Sequence, residues 1–131
     1  MSYDFSLALR NPCNIKKGFC VNCNSYFLRA RPYIKSVILT KHFIKDLRNQ
    51  EATSIVNDVL DCSNVEFTEL HKFEEHVDGN MVFRAKKKGM HIVYCIDRNM
   101  RLIFLRIFRN FKEYQRFLGN KKEIHNLILH N

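Results

Sequence analysis

The sequence predicts an α+β domain in which helices pack on an antiparallel sheet. Two segments with helical spacing of apolar residues lie before position 62, three strand-like segments joined by tight turns follow them, and two more helical segments come last. The 131 residues are enough for a single core that needs no disulfides. We divide the chain into an N-terminal arm, residues 1–32, and a core, residues 33–131.

The arm contains a zinc-knuckle-like cysteine segment. In Cys20-Val21-Asn22-Cys23, two thiolates separated by two residues suit one zinc ion, and Cys13 precedes them. We therefore expect structural zinc on Cys13, Cys20 and Cys23. A structural zinc site needs four ligands, however, and no second pair lies at a matching spacing. The alternative is that these cysteines are small buried apolar residues.

The first half of the core predicts two helices and a strand. Apolar residues at helical intervals favour a helix over residues 33–48, although Ser36–Thr40 alone could form a strand. A second helix is predicted over residues 51–61. Residues 63–69 alternate apolar and polar side chains, which predicts a strand, and the acidic run 74–80 predicts a turn.

The second half of the core has clearer turn signals. Lys88-Gly89 and Asp97-Arg98-Asn99 each separate two alternating segments, which indicates consecutive antiparallel strands. Gly119-Asn120 is typical of a helix end. The elements predicted here are strands over 81–87, 91–96 and 101–108, and helices over 111–118 and 121–129.

Positive charge is concentrated in this second half. Residues 81–122 contain twelve of the 22 Lys and Arg residues and only two acidic residues, Asp97 and Glu113. Residues 1–80 contain ten basic and ten acidic residues and sum to zero. Such asymmetry indicates a polyanionic partner, whose phosphates would release counterions on binding.

The composition also constrains the compartment. No apolar run approaches the ~18 residues that span a bilayer, and residues 1–20 lack the apolar centre of a signal peptide. Five cysteines, an odd number without secretory context, favour a reducing environment. We expect a cytoplasmic protein that binds no membrane.

Three segments resemble one known family. They are Phe19-Cys20-x-x-Cys23-x-x-Tyr26-Phe27 followed by Tyr33-Ile34, then Glu74-Glu75-His76 before the basic strand that carries Arg84, Lys86 and Lys88, and finally Ile124–Leu129 after Lys121-Lys122. In collinear order over about residues 18–130 they resemble the large-ribosomal-subunit nuclear export adaptor, a family named after nonsense-mediated decay. Family members have more cysteine pairs, a further domain and a transport tail, which this sequence lacks.

The resemblance implies a protein that lies across the tRNA-binding sites of the large ribosomal subunit. Its partners would be ribosomal RNA (rRNA) and large-subunit ribosomal proteins. We expect a ribosome-bound, non-catalytic protein that blocks these sites and keeps ribosomes inactive, as a dormancy (hibernation) factor does, or that assists large-subunit biogenesis. We expect it to be monomeric when free and to have no small-molecule substrate. The cations expected to contact rRNA are Lys16, Lys17, Arg29, Arg31, Arg84, Lys86, Lys87, Lys88, Arg101, Arg106, Arg109, Lys112 and Arg116.

The main alternative is an enzyme. Three antiparallel strands followed by a basic helix also resemble the RelE-type toxins, which cleave mRNA on the ribosome. That resemblance implies that Arg84 and Lys86 stabilise the phosphate, His91 acts as acid or base, and Arg109 with Tyr114 closes the site. A third possibility is a small zinc-dependent RNA- or DNA-binding module that acts away from the ribosome.

Overall fold

The computed structural model describes residues 25–48, 50–61 and 67–130. In chain order the elements are α1 (Ser25–Ala30), a 3₁₀ turn (Arg31–Tyr33), β1 (Ser36–Leu39), α2 (Lys41–Asp46), α3 (Ala52–Asp61), β2 (Phe67–Val77), β3 (Asn80–Lys87), β4 (Met90–Ile96), β5 (Arg101–Phe108), α4 (Phe111–Gly119) and α5 (Lys121–Leu129).

The five strands form one mixed sheet in the order β1-β5-β4-β3-β2. Strands β2 to β5 are consecutive antiparallel neighbours, and β1 pairs parallel to β5. Two-residue turns at Asp78-Gly79 and Lys88-Gly89 have positive φ at both residues. This is the hairpin turn whose twist matches the twist of the strands, and glycine adopts it without strain.

Helices cover both faces of the sheet, and each face has its own apolar core. On the N-terminal face, residues from α1, α2 and α3 pack on alternate residues of the strands, including Phe27, Phe43, Val56, Phe83, Tyr94 and Phe104. On the C-terminal face, α4 and α5 pack on the other set, including Val93, Ile103, Leu105, Phe117, Ile124 and Leu127. All seven residues of β4 are buried because both faces above it are covered.

The prediction of a helix over residues 33–48 is wrong. Ser36–Leu39 is a strand, because its four residues pair with β5, and only Lys41–Asp46 is helical. Thr40 separates the two elements. Its hydroxyl donates to the carbonyl of Leu105 at 3.0 Å and accepts from the backbone N–H of Phe43 at 3.1 Å, so it caps α2 while fixing the end of β1.

Two further details differ from the sequence prediction. The sheet is mixed, since β1 is parallel to its neighbour. The acidic run at 74–80 is not a turn over its whole length, because β2 continues to Val77 and the turn begins at Asp78. Of the strand predicted over residues 63–69, residues 63–66 lie outside the described residues.

The remaining elements confirm the prediction. The helix expected over 51–61 is Ala52–Asp61, the three strands expected from residue 81 onwards fall within one residue of β3, β4 and β5, and the two C-terminal helices are Phe111–Gly119 and Lys121–Leu129. The α+β class is confirmed.

The N-terminal arm is described only from residue 25. Phe27 is fully buried against Phe83 and Tyr94, so this end of the arm packs into the core. Cys13, Cys20 and Cys23, with Lys16 and Lys17, lie outside the described residues. Within the described residues, no three His, Cys, Asp or Glu side chains are grouped so that they could hold a metal ion. None of the described helices is long and apolar enough to cross a membrane.

Candidate functional site

Strand β2 departs from regular pairing at three places. Its register with β3 shifts between Phe67 and Glu69, between Glu69 and Lys72, and between Phe73 and Glu75. A β-bulge adds a residue to one strand and changes the face to which the following side chains point. The shifts bring Glu69 and Glu74 to the side chain of Arg84, on the C-terminal face of the sheet.

A row of polar residues therefore crosses this face. Lys86 on β3 lies directly opposite Glu69 on β2 and opposite His91 on β4. Side chains opposite each other on one face have Cβ atoms ~5 Å apart, so these three groups are neighbours. Tyr114 of α4 covers the row, and its ring stacks on His91 with ring centres 4.6 Å apart and an angle of 11° between the ring planes.

Arg84 links this row to the two acidic residues of β2. Its Nη2 donates to Glu69, its Nε lies 3.6 Å from Oε1 of Glu74, and its guanidinium carbon lies 5.1 Å from the ring centre of Tyr114. We call Glu69, Glu74, Arg84, His91 and Tyr114 the polar cluster.

Three members of the polar cluster are buried, and Glu69 and Glu74 are partly exposed. The exposed fractions of Arg84, His91 and Tyr114 are 6%, 4% and 2%. Nδ1 of His91 is buried and has no hydrogen-bond partner within the described residues. Buried polar atoms normally find partners, so an unpaired one beside several charges is a candidate for binding or chemistry.

The surroundings fix the charge states of two members. Burial lowers the pKa of His91 below its ordinary 6.5, and the positive charges of Arg84 and Lys86 lower it further, against an opposite effect of Glu69. Burial raises the pKa of Tyr114, and the neighbouring carboxylate of Glu74 raises it further. At neutral pH His91 is therefore a neutral imidazole and Tyr114 a protonated phenol.

One edge of the polar cluster reaches the surface. Phe111, in the first turn of α4, is 53% exposed, and its ring centre lies 5.7 Å from that of His91. Lys86 is partly exposed on the same face. An exposed aromatic ring and a partly exposed lysine, each a neighbour of His91, suit an unpaired nucleotide, whose base can stack while its phosphate contacts the cation.

The other described residues that were expected to contact rRNA fall into two groups. In the first group the cation already has a partner within the protein. Arg31 is buried and donates to the carbonyl of Leu60, and Arg109 donates to the carbonyl of Asp46 at 2.9 Å. Three more form ion pairs: Lys87 with Asp58 at 3.5 Å, Arg101 with Asp97 at 2.7 Å and Arg106 with Asp46 at 2.6 Å. Arg29, Lys88, Lys112 and Arg116 are exposed.

Among the residues implied by the RelE resemblance, Arg84, Lys86, His91 and Tyr114 lie together. Arg109 lies with Asp46 instead. Glu69 and Glu74 were not predicted as site residues, since the sequence placed Glu74 in a turn. The available signal was that acidic residues recur between apolar residues at 65–77 and precede a strongly basic strand.

Chemically, the polar cluster combines a neutral imidazole, a guanidinium, a protonated phenol and two glutamate side chains, and the ammonium of Lys86 lies beside it. These groups can take up a proton, stabilise a negatively charged phosphate and donate a hydrogen bond to it. Comparisons of the chain with protein-family models, with curated proteins and with solved structures find no match.

Proposed function

We propose that this protein is an RNA-cleaving enzyme of the RelE type that acts on ribosome-bound mRNA, with the polar cluster as its active site. The observation that supports this proposal is the contact between His91, Tyr114 and Arg84, three residues that the RelE resemblance implies from separate parts of the sequence. Lys86, the fourth, lies directly opposite His91.

In the proposed reaction, neutral His91 takes the proton of a ribose 2′-hydroxyl. The 2′-oxygen then bonds to the adjacent phosphorus while the bond from phosphorus to the 5′-oxygen breaks. The 5′-oxygen is protonated by Lys86 or by water, which leaves a 2′,3′-cyclic phosphate and a 5′-hydroxyl. Arg84 and Lys86 stabilise the charge on the phosphate, and the phenol of Tyr114 donates a hydrogen bond to it.

Access to His91 requires a local movement. His91 is 4% exposed and lies beneath Phe111 and Tyr114 of α4. We propose that the first turn of α4 shifts when RNA binds and that Phe111 then stacks on a base next to the cleaved bond. Loop and helix-end movements of this kind often complete an active site only in the complex.

The experiment is a ribosome-dependent cleavage assay that counts new mRNA ends per molecule of protein. We expect multiple cleavages per molecule, and cut mRNA that remains cut after the protein is washed off with salt. His91→Gln should lower the rate by about 10²–10⁴-fold while largely sparing ribosome binding. The same substitution at exposed His42 is the matched control and should leave the rate unchanged.

The second candidate is the non-catalytic rRNA-binding factor that blocks the tRNA sites. The exposed cations Lys88, Lys112 and Arg116 favour it. The burial of Arg84, His91 and Tyr114 in this structure favours it as well. A blocking factor would inhibit translation in proportion to the ribosomes that it occupies, and salt would reverse the inhibition. Intact mRNA with stoichiometric, salt-reversible inhibition, unchanged in His91→Gln, would overturn the enzyme and support this candidate.

A further inference from the structure

A second charged site lies on the other side of the first turn of α4. A cavity of about 460 Å³ forms where the C-terminal end of α2, the end of β5 and the start of α4 meet. Four cations line it, Lys45, Arg48, Arg106 and Arg109, against two carboxylates, Asp46 and Glu113. We call it the basic cavity.

Asp46 holds the two arginines in place. Its Oδ2 accepts from Nε of Arg106 at 2.6 Å, its Oδ1 accepts from Nη2 of Arg106 at 3.2 Å, and its backbone carbonyl accepts from Nη1 of Arg109 at 2.9 Å. Oδ2 also accepts the backbone N–H of Ile107 at 3.0 Å. These contacts orient the guanidinium groups. Glu123 also lies near, with its Oε1 3.8 Å from Nη1 of Arg106, so the four cations outnumber three carboxylates and the cavity keeps an excess of positive charge.

Two exposed cations complete the rim. Lys45 and Arg48 lie at the surface, and Arg48 has a left-handed backbone with φ of 56°. This conformation is uncommon for a residue with a side chain, and such residues cluster at binding sites. The N-terminus of the nine-residue helix α4 also borders the cavity through Asn110 and adds partial positive charge.

We infer that the basic cavity binds one backbone phosphate of the RNA whose cleavage is proposed above, and the inference rests on that RNA substrate. Planar guanidinium groups match the oxygens of a phosphate, and the cavity is large enough to take the attached sugar as well. Phe111 and Tyr114 contact His91, whereas Asn110 and Glu113 line the cavity. A strand crossing the start of α4 would therefore reach both sites.

The first test uses inorganic phosphate as the probe. Titration against chloride at equal ionic strength, followed by NMR of the arginine side chains, should give saturable shifts at Arg106 and Arg109. Lys45→Gln with Arg48→Gln should weaken phosphate binding about tenfold or more, the scale of a lost charged hydrogen bond. The matched control is the double variant Lys35→Gln with Lys122→Gln, which removes two exposed charges outside the cavity. It should not weaken phosphate binding. Equal phosphate binding in both double variants would overturn the inference.

The second test distinguishes a phosphate of RNA from a free phosphate ion. Affinity is measured for RNA oligonucleotides that each carry one uncharged methylphosphonate, with His91→Gln as the background so that the RNA stays intact. A methylphosphonate at one RNA position should weaken binding about tenfold. That loss should disappear when Lys45 and Arg48 are also replaced, which would show that this position is coupled to these two residues. The opposite outcome is that the cavity binds phosphate saturably while no methylphosphonate position depends on Lys45 and Arg48. That result would assign the cavity to a free anion and overturn its role in RNA binding.

These results are independent of cleavage. If the coupled position is found but wild-type protein leaves mRNA intact, the proposed enzyme fails and the phosphate site stands. If His91→Gln abolishes cleavage but no RNA position is coupled to Lys45 and Arg48, the enzyme stands and the phosphate site fails.

Discussion

His71 shows how one buried side chain ties the sheet to the helices that cover it. It lies in β2 with φ of 54°, at a bulge, and its ring stacks on Phe27 of α1 with ring centres 3.6 Å apart. The hydroxyl of Tyr94 accepts the backbone N–H of His71 at 3.1 Å and lies 2.7 Å from its Nδ1. When the ring proton of the neutral imidazole is on Nε2, the hydroxyl donates to Nδ1.

We predict that His71 makes the stability of the protein depend on pH. Burial, followed by the positive charge of Arg31, lowers its pKa from 6.5 to about 3, against a raising effect of a hydrogen bond with the backbone of Val59. The unfolded chain binds this proton more readily than the folded one. The contribution of His71 to the free energy of unfolding is therefore complete above pH 6.5 and decreases as the pH drops towards 3. The slope is up to about 1.4 kcal/mol per pH unit.

Urea unfolding between pH 4 and 8 measures this slope. His71→Phe keeps a ring for stacking on Phe27 and should flatten the slope, although it lowers stability at neutral pH because the Tyr94 hydroxyl loses a partner. His42→Phe at an exposed position should leave the slope unchanged. An undiminished slope in His71→Phe would contradict the assignment.

His91 gives a separate prediction about activity. If neutral His91 is the base, the cleavage rate should fall only below pH 6.5, because burial, Arg84 and Lys86 lower the pKa of His91. Lys86→Gln removes one of these charges and should move the acidic limb of the pH–rate profile to higher pH. Lys35→Gln is the control. A limb that stays in place in Lys86→Gln would argue against His91 as the titrating group.

At the scale of elements, the sequence predicted the helices and strands best where the local sequence pattern and the strand pairing favour the same structure. β3, β4 and β5 have alternating side chains between turns that contain glycine or Asp-Arg-Asn, and both C-terminal helices have an apolar stripe. β1 was misassigned because its four residues also fit a helical spacing, and only pairing with β5, more than 60 residues away, makes them a strand. β2 was cut short because its register shifts interrupt the alternation.

The candidate site was predictable in part for the same reason. Arg84, Lys86 and His91 lie on regular strands, so period-two geometry and the hairpin bring them to one face. The acidic members come from the irregular strand β2, where no regular period indicates the face. The basic cavity joins residues of α2, β5 and α4, and their proximity depends on packing that the sequence does not display.

The start of α4 deserves a test because it borders both sites. Oδ1 of Asn110 accepts the backbone N–H groups of Lys112 at 2.8 Å and Glu113 at 3.3 Å. Asn110→Ala should lower the free energy of unfolding by about 1 kcal/mol and speed amide exchange in the first turn of α4, whereas Asn110→Ser should restore most of the loss.

Asn120→Ala is the matched control for this cap. Asn120 caps α5 through the backbone N–H of Glu123 at 3.2 Å, so its loss should cost a similar free energy but speed exchange in α5. Faster exchange in both helices in either variant would show that α4 and α5 open as one unit and would contradict the separate role given to the start of α4.

At the scale of the whole molecule, folding redistributes the charge that the sequence separates. Acidic residues from the first half pair with cations from the second: Asp46 with Arg106, Asp58 with Lys87, Glu69 and Glu74 with Arg84, and Glu75 with Lys121. Exposed cations come from both halves, including Arg29 and Lys45 as well as Lys112 and Arg116. The net charge of +9 is therefore not confined to one half of the fold.

This pairing predicts which cations govern the salt dependence of RNA binding. Each phosphate contact with an unpaired cation releases counterions, so Lys112→Gln should lower the slope of log affinity against log salt by ~0.7–0.9. Lys87 already has a carboxylate partner in Asp58 at 3.5 Å, so Lys87→Gln should change the slope much less. Fluorescence anisotropy with labelled RNA across a range of KCl concentrations, in the His91→Gln background, measures both. Equal effects would contradict the role given to the ion pairs, and a flat dependence in all variants would exclude RNA as the main partner.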